Sequence, residues 1–373
     1  MRWAILIGTL ILGSVAGGIF LIDCIRRLRF VAVLTRGHKT AGWAVGTVVF
    51  LVPFCLIWVL WGYLNAIIVL LHLILAWGVA ELVRRLLQKR RKKPIRRGWA
   101  AAIAVLLTVL YLGVGWIQAN CVWQTNYSVT TTKSVGALRI ALLTDAHIGT
   151  TFDGAEFADH LARIQEQKPD ILVIVGDFVD EDTSKEDMLA ACRALKDVYT
   201  THGIFFVFGN HDKGRYSDGR RGYDGAELAA ELEKNGVTVL QDESVLIDGR
   251  FYLVGRQDAS EELDFGGSRA TAAELLSGLE KDRFSILLDH QPQDYTAEAA
   301  AGADLVLSGH THGGQMIPIV QLLRWFHIGT DCVYGMEHRG DTEFVVSSGI
   351  SDWALRFKTG CRSEYVIIDV AGR

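Results

Sequence analysis

The chain has 373 residues, half of them hydrophobic, with a formal net charge of −4 and a positive mean hydropathy. That aggregate is too apolar for an ordinary soluble enzyme, and the excess lies at one end of the chain. Residues 1–120 hold 15 Lys and Arg against Asp23 and Glu81, a balance of +13; with −4 overall the remainder carries −17, which argues against general nucleic-acid binding through a basic face.

In chain order, nearly uninterrupted apolar stretches run over residues 4–22, 41–83 and 98–118. A helix crossing a bilayer needs about 20 residues at 1.5 Å each, so the middle stretch is long enough for two crossings. Gly62-Tyr63-Leu64-Asn65 is the natural turn between them. The expectation is an all-α transmembrane region of four helices, at about 4–22, 41–61, 65–83 and 98–118. Trp58, Trp61, Trp99 and Trp116 lie near the proposed ends, as interfacial aromatics do. Arg26, Arg27, Arg29, Arg36 and Lys39 separate the first two helices, and nine basic residues at 84–97 separate the last two. The positive-inside rule puts both clusters in the cytoplasm and everything after residue 120 outside it. A cleaved signal peptide ending near Ser14-Val15-Ala16 is the rival reading of the first stretch. The 84–97 cluster would also meet anionic headgroups.

Residues 121–136 are polar and read as a linker or edge strand, and 137–373 as one further domain. Apolar runs at 138–143, 171–175, 204–208, 284–288 and 305–307 predict buried strands. Amphipathic stretches at 155–167, 185–199, 225–235 and 271–281 predict helices between them, hence an α/β fold. Closely spaced strands at 237–240, 244–247 and 251–254, with Asp248-Gly249 as a hairpin turn, predict a second sheet. Six cysteines set no framework; Cys332 and Cys361 could pair, but free thiols are the expectation.

A polar cluster follows each main strand. Asp145 and His147 stand in T-D-A-H, Asp177 in G-D-F-V-D, Asn210 and His211 in G-N-H-D, His290 in L-D-H-Q, and His310 and His312 in G-H-T-H-G-G-Q. Open α/β sheets place their ligand crevices at such strand ends. Taken singly, D-x-H or G-D-x-x-D ordinarily makes a turn or helix cap, and a lone His at a strand end is an ordinary polar residue. Five clusters in order carry the metal reading. Carboxylate, amide oxygen and imidazole suit Mn, Fe, Zn or Mg better than a soft metal, and no cysteine joins the set. Two such cations about 3.5–4 Å apart hold a phosphate between them and activate a water, provided one carboxylate bridges them. Asp177 is the natural bridge.

These motifs resemble the calcineurin-like metallophosphoesterases, within them the bacterial membrane-linked members ending in G-H-T-H-G-G-Q, over about residues 137–370. The resemblance implies a four-layer α/β/β/α sandwich. It implies one metal on Asp145, His147, Asp177 and His312, and another on Asp177, Asn210, His290 and His310. It further implies that His211 contacts the phosphate and protonates the leaving group, oriented by Asp180. Where many relatives carry Arg and Pro, this chain has Ser348 and Ser363, which leaves Arg356 as the candidate substitute for substrate binding. Two further segments lie near the site in sequence: 213–223, with Arg215, Arg220 and Arg221, and the apolar 316–326. The first is a candidate contact for the non-reacting part of a substrate. The second is either core or a wall facing lipid.

The expected activity is that of a membrane-anchored, dinuclear metal-dependent phosphoesterase acting outside the cytoplasm on a phosphate mono- or diester, lipid- or envelope-linked. A nucleotidase or cyclic phosphodiesterase of soluble substrates is one alternative. A non-catalytic membrane metal-binding sensor is the other, disfavoured by the intact ligand set.

Overall fold

The structure, a computed structural model, describes residues 2–217, 219–326 and 329–372. The chain divides into two compact units, Met1–Trp116 with Ala354–Arg356, and Ile117–Trp353 with Phe357–Arg373.

Helices α1 (Arg2–Arg26), α2 (Arg29–Leu34), α3 (Lys39–Arg91) and α4 (Arg97–Asn120) build the first unit. Within the 53 residues of α3, Gly62 leaves the helical region at φ 83°, ψ 162°. Phe50 packs against Gly18 and Ile74 against Gly17. Residues twelve before and twelve after Gly62 therefore meet neighbouring positions of α1, so the chain reverses at Gly62. Among the described residues, two helices, α3 and α4, are long and apolar enough to cross a membrane. Only 28% and 33% of their most apolar windows are buried, unlike the core helix of a soluble domain. Val52, Val59, Leu60, Leu106, Val109 and Leu110 all stand exposed, apolar surface that water penalises and lipid does not.

The second unit holds two six-stranded sheets. The first runs β1 (Trp123–Thr130), β12 (Glu364–Ala371), β2 (Ala137–Leu143), β3 (Ile171–Val175), β4 (Ile204–Val207), β5 (Val237–Val239). Its β2-β3-β4-β5 portion is parallel. The second runs β10 (Gly335–Arg339), β11 (Thr342–Val346), β9 (Leu305–Ser308), β8 (Phe284–Leu288), β7 (Phe251–Gly255), β6 (Glu243–Ile247), with β11, β9, β8 and β7 parallel. Residues 123–130 thus form the outer strand of the first sheet. Asp248 and Gly249 close the β6-β7 hairpin with φ of 49° and 66°, the pair of left-handed residues such a turn requires.

Side-chain alternation assigns the layers. Leu172 and Ile174 of β3 face out, into a core shared with α5 (Phe157–Gln165), α6 (Lys185–Leu195) and α7 (Gly225–Lys234). Ile171, Val173 and Val175 face the other way and meet Leu253, Ile286, Leu288 and Leu307 of the second sheet. The far side of that sheet, with Val254, Leu287, Val306 and Phe344, packs on α9 (Ala272–Leu276) and α10 (Tyr295–Ala301). Two short helices, α8 (Ser260–Leu263) and α11 (Ile319–Phe326), lie in connections. The order is helices, sheet, sheet, helices. All six cysteines are free, Cys332 and Cys361 included.

Candidate metal centre

Parallel strands deliver their C-terminal ends to one edge, and the ladder continues past them into the polar loops. Asp145 N–H donates to Gly176 O and His147 N–H to Asp177 O, extending the β2-β3 pairing into T-D-A-H and G-D-F-V-D. In the second sheet, Asp289 N–H donates to Leu307 O and Gly309 N–H to His290 O. The loop after β11 joins the first sheet's edge, with Ile350 N–H donating to Thr144 O.

Backbone amides then aim the carboxylates. His310 N–H reaches both oxygens of Asp145, at 3.0 and 3.1 Å. His211 N–H donates to Asp177 Oδ1 at 2.9 Å, which leaves Asp177 Oδ2 free to face inward. These approaches require glycine: a Cβ at Gly209 would meet Asp177, and one at Gly309 would meet Asp145. Asp145, His147, Asp177, His310 and His312 all have positive φ, between 38° and 69°. Each such conformation costs about 1–3 kcal/mol and persists only where its surroundings impose it, a pattern concentrated at functional sites.

The seven side chains converge as two groups. Ligand atoms of Asp145, His147 and His312 lie within 4.8 Å of one another, as do those of Asp177, His290 and His310. His147 Nε2 is 3.2 Å from His312 Nε2, and Asn210 Oδ1 lies 2.8 Å from His310 Nδ1. Asp177 stands between the groups. Its Oδ2 is 3.0 Å from His290 Nε2 and 3.8 Å from His147 Nε2. Asp145, His147 and His290 are fully buried and Asp177 nearly so. Burial, then the neighbouring imidazole of His147, holds His312 well below the usual histidine range. Burial and His290 act likewise on His310. Both shifts favour the neutral form, in which imidazole ligates a cation. Two buried carboxylates, an amide oxygen and four imidazoles aimed at two points fit a pair of divalent cations of hard or borderline character. The nearby thiol of Cys361 instead faces the carbonyl of His312.

His211 sits beside this set, 5.1 Å from His147 ring to ring. Its carboxylate partner differs from the sequence expectation. Asp180 does not orient His211: its Oδ1 accepts from Asp182 N–H, Thr183 N–H and the Thr183 hydroxyl, and its Oδ2 lies 3.1 Å from Thr150 Oγ1 and 3.4 Å from His147 Nδ1. The turn consumes one oxygen of Asp180 and points the other at His147, whereas the next residue, Glu181, places Oε2 2.9 Å from His211 Nδ1. Burial disfavours the His211 cation, but the charge of Asp177 and the bond to Glu181 outweigh it and raise the pKa to about 9.

Other residues fall outside what the sequence reading found. Asp212, fully buried, accepts from the N–H groups of Asp177, Gly209 and Val179 and so ties two motif loops together. Arg221 is not a substrate contact. Its guanidinium is buried and donates to the carbonyls of His211, Asp212 and Tyr223, bracing the loop from within. Arg215 pairs with Asp264 at 3.1 Å. Arg356 belongs to a segment grouped with the N-terminal helices, and the cation near Ser348 and Ser363 is Lys358. Fully buried, Lys358 donates to Ser348 O, Ser351 O and Ser363 Oγ at 2.8–3.0 Å and pairs with Asp352 at 3.2 Å. Nothing in K-T-G, an ordinary surface pattern, announces that burial.

A family model for calcineurin-like phosphoesterases matches residues 138–314. An uncharacterized metallophosphoesterase of Campylobacter jejuni is 30% identical over 318 residues, covering 82% of this chain and 79% of the relative. A Bos taurus transmembrane protein with metallophosphoesterase domain is 29% identical over 339 residues, 84% of this chain and 70% of that one. Among solved structures, a dimetal phosphatase from Danio rerio aligns with 56% of this chain and 86% of its own, at 11% identity and a TM-score of 0.37.

Proposed function

Since the chain belongs to the calcineurin-like phosphoesterases and is a metal-dependent phosphoric ester hydrolase, we propose that it works as a membrane-anchored enzyme on phosphate mono- or diesters held in or near the lipid surface. The convergence of six donor side chains in two neighbouring groups, with Asn210 Oδ1 beside His310, carries the catalytic part of this reading.

Asp145, His147 and His312 would hold one divalent cation, Asn210, His290 and His310 the other, with Asp177 Oδ2 shared. Bound there, Mn, Fe, Zn or Mg ions supply Lewis acidity, neutralising phosphoryl oxygens and making a water nucleophilic at neutral pH. The chain's own contribution is positional. Burial keeps bulk water from the donor groups, and the amides of His211 and His310 fix the carboxylates. His211, held through Nδ1 by Glu181, gives a proton from its other nitrogen to the departing ester oxygen.

The membrane part rests on α3 and α4, and on the basic residues at 26–39 and 84–97 between the apolar stretches, which support four crossings with the sandwich outside the cytoplasm. The lipid part rests on α11. Met316 and Val320 are buried, while Ile317, Ile319, Leu322 and Trp325 stand exposed just after the last motif. Purified full-length protein loaded with Mn, offered phosphomonoesters, phosphodiesters and phospholipid vesicles, tests the proposal. Faster turnover of vesicle-held esters is the expected result. Activity confined to soluble nucleotides would replace it with the nucleotidase reading.

A further inference from the structure

Two half-exposed aromatic side chains pack against His211. The ring of Tyr216 lies 5.0 Å from it, tilted by 48°, and that of Trp353 lies 5.2 Å away, tilted by 54°. Their exposures are 46% and 40%, while His211 itself is 7% exposed. Trp353 also donates its indole N–H to Glu181 Oε1 at 3.3 Å, the carboxylate whose other oxygen holds His211. Exposed aromatics ordinarily gain more from burial than they keep on a surface, and here they border the one imidazole of the site that is not among the seven donors. Their exposed flat faces are thus available where an incoming group would sit.

From this placement we infer that Trp353 and Tyr216 form a clamp for the leaving group, selecting esters whose departing alcohol carries a flat ring close to the ester oxygen. The inference rests on the proposed role of His211: the group it protonates must have its carbon skeleton within reach of whatever rings flank that imidazole. A flat ring there gains offset or edge contacts with indole and phenol faces that an open alkyl chain cannot make. The two aromatics come from different connections, the loop after G-N-H-D and the loop after β11, so the clamp exists only in the folded domain.

Binding separates this from a merely structural role. Metal-loaded full-length protein is titrated calorimetrically with phenylphosphonate and methylphosphonate, neither of which can be hydrolysed, and turnover of an aryl phosphate is followed in parallel. The unsubstituted protein should bind the phenyl compound about tenfold more tightly. Trp353→Leu should abolish that preference, whereas Trp353→Phe, which keeps a ring but loses the N–H to Glu181, should retain most of it. Equal binding of the two phosphonates by an actively hydrolysing protein would overturn the clamp and leave the phosphoesterase reading standing. Equal losses in Trp353→Leu and Trp353→Phe would overturn it too, by assigning Trp353 to the support of Glu181. A protein that neither binds phosphonate nor hydrolyses the ester would remove both readings.

Discussion

His211 and Glu181 share one hydrogen bond, and the proposed proton transfer depends on it. His211→Ala should lower turnover of an alkyl ester by about 10²–10⁴-fold, the usual value of a positioned acid, with metal content unchanged. Glu181→Gln should give a smaller loss in the same direction. Kinetics with a very good leaving group check the assignment: the deficit should shrink there, and an equal deficit on all esters would reduce His211 to a phosphate contact. Lys358 makes a second case at this scale. Among the described residues it is the cation that pairs with Asp352, and both are buried. Lys358→Met should therefore cost about 3–5 kcal/mol by leaving an uncompensated carboxylate, read as a lowered denaturation midpoint. Adding Asp352→Asn should recover part of it; an unchanged midpoint in the single variant would show that the pair is dispensable. Asp180 and Glu181 mark where sequence stops being sufficient. Adjacent carboxylates in G-D-F-V-D-E are equally able to face His211 until the turn at Asp182 and Thr183 consumes one of them. Metal-type residues, by contrast, were readable, since their mixture of types at strand ends has little other use.

Among the elements, the strands carrying the site were legible because β3, β4, β8 and β9 are buried on both faces and read as predominantly apolar runs. β1 is polar on its exposed side and reads equally as linker. β10 carries Glu, His and Arg among its five residues and offers no apolar period at all. α10 is alanine-rich, with too little apolar contrast to show a face, although Gly302 in the left-handed region ends it conventionally. α11 is core on one side, through Val320, and exposed apolar surface on the other. Replacing Leu322 and Trp325 with Ser should accordingly slow hydrolysis of a lipid phosphate in vesicles several-fold while sparing a small soluble ester. If both activities fall together with the melting temperature, the exposed side is packing surface and not a lipid contact.

For the whole molecule, the proposed topology puts the basic residues at 26–39 and 84–97 in the cytoplasm and the acidic domain after residue 120 outside it. A reporter active only outside the cytoplasm, fused after Arg373, should signal, and one active only inside should stay silent. The reverse pattern would make a cytoplasmic substrate the better reading. We propose that one buried carboxylate, Asp177, lies between two sets of ligands and serves both. Its most direct test is the metal content of the purified protein, measured beside hydrolysis, for the unsubstituted chain and Asp177→Asn. Two equivalents of divalent metal per chain, falling toward none with loss of hydrolysis in the variant, is the predicted result. Two retained equivalents and ordinary turnover in Asp177→Asn would contradict it.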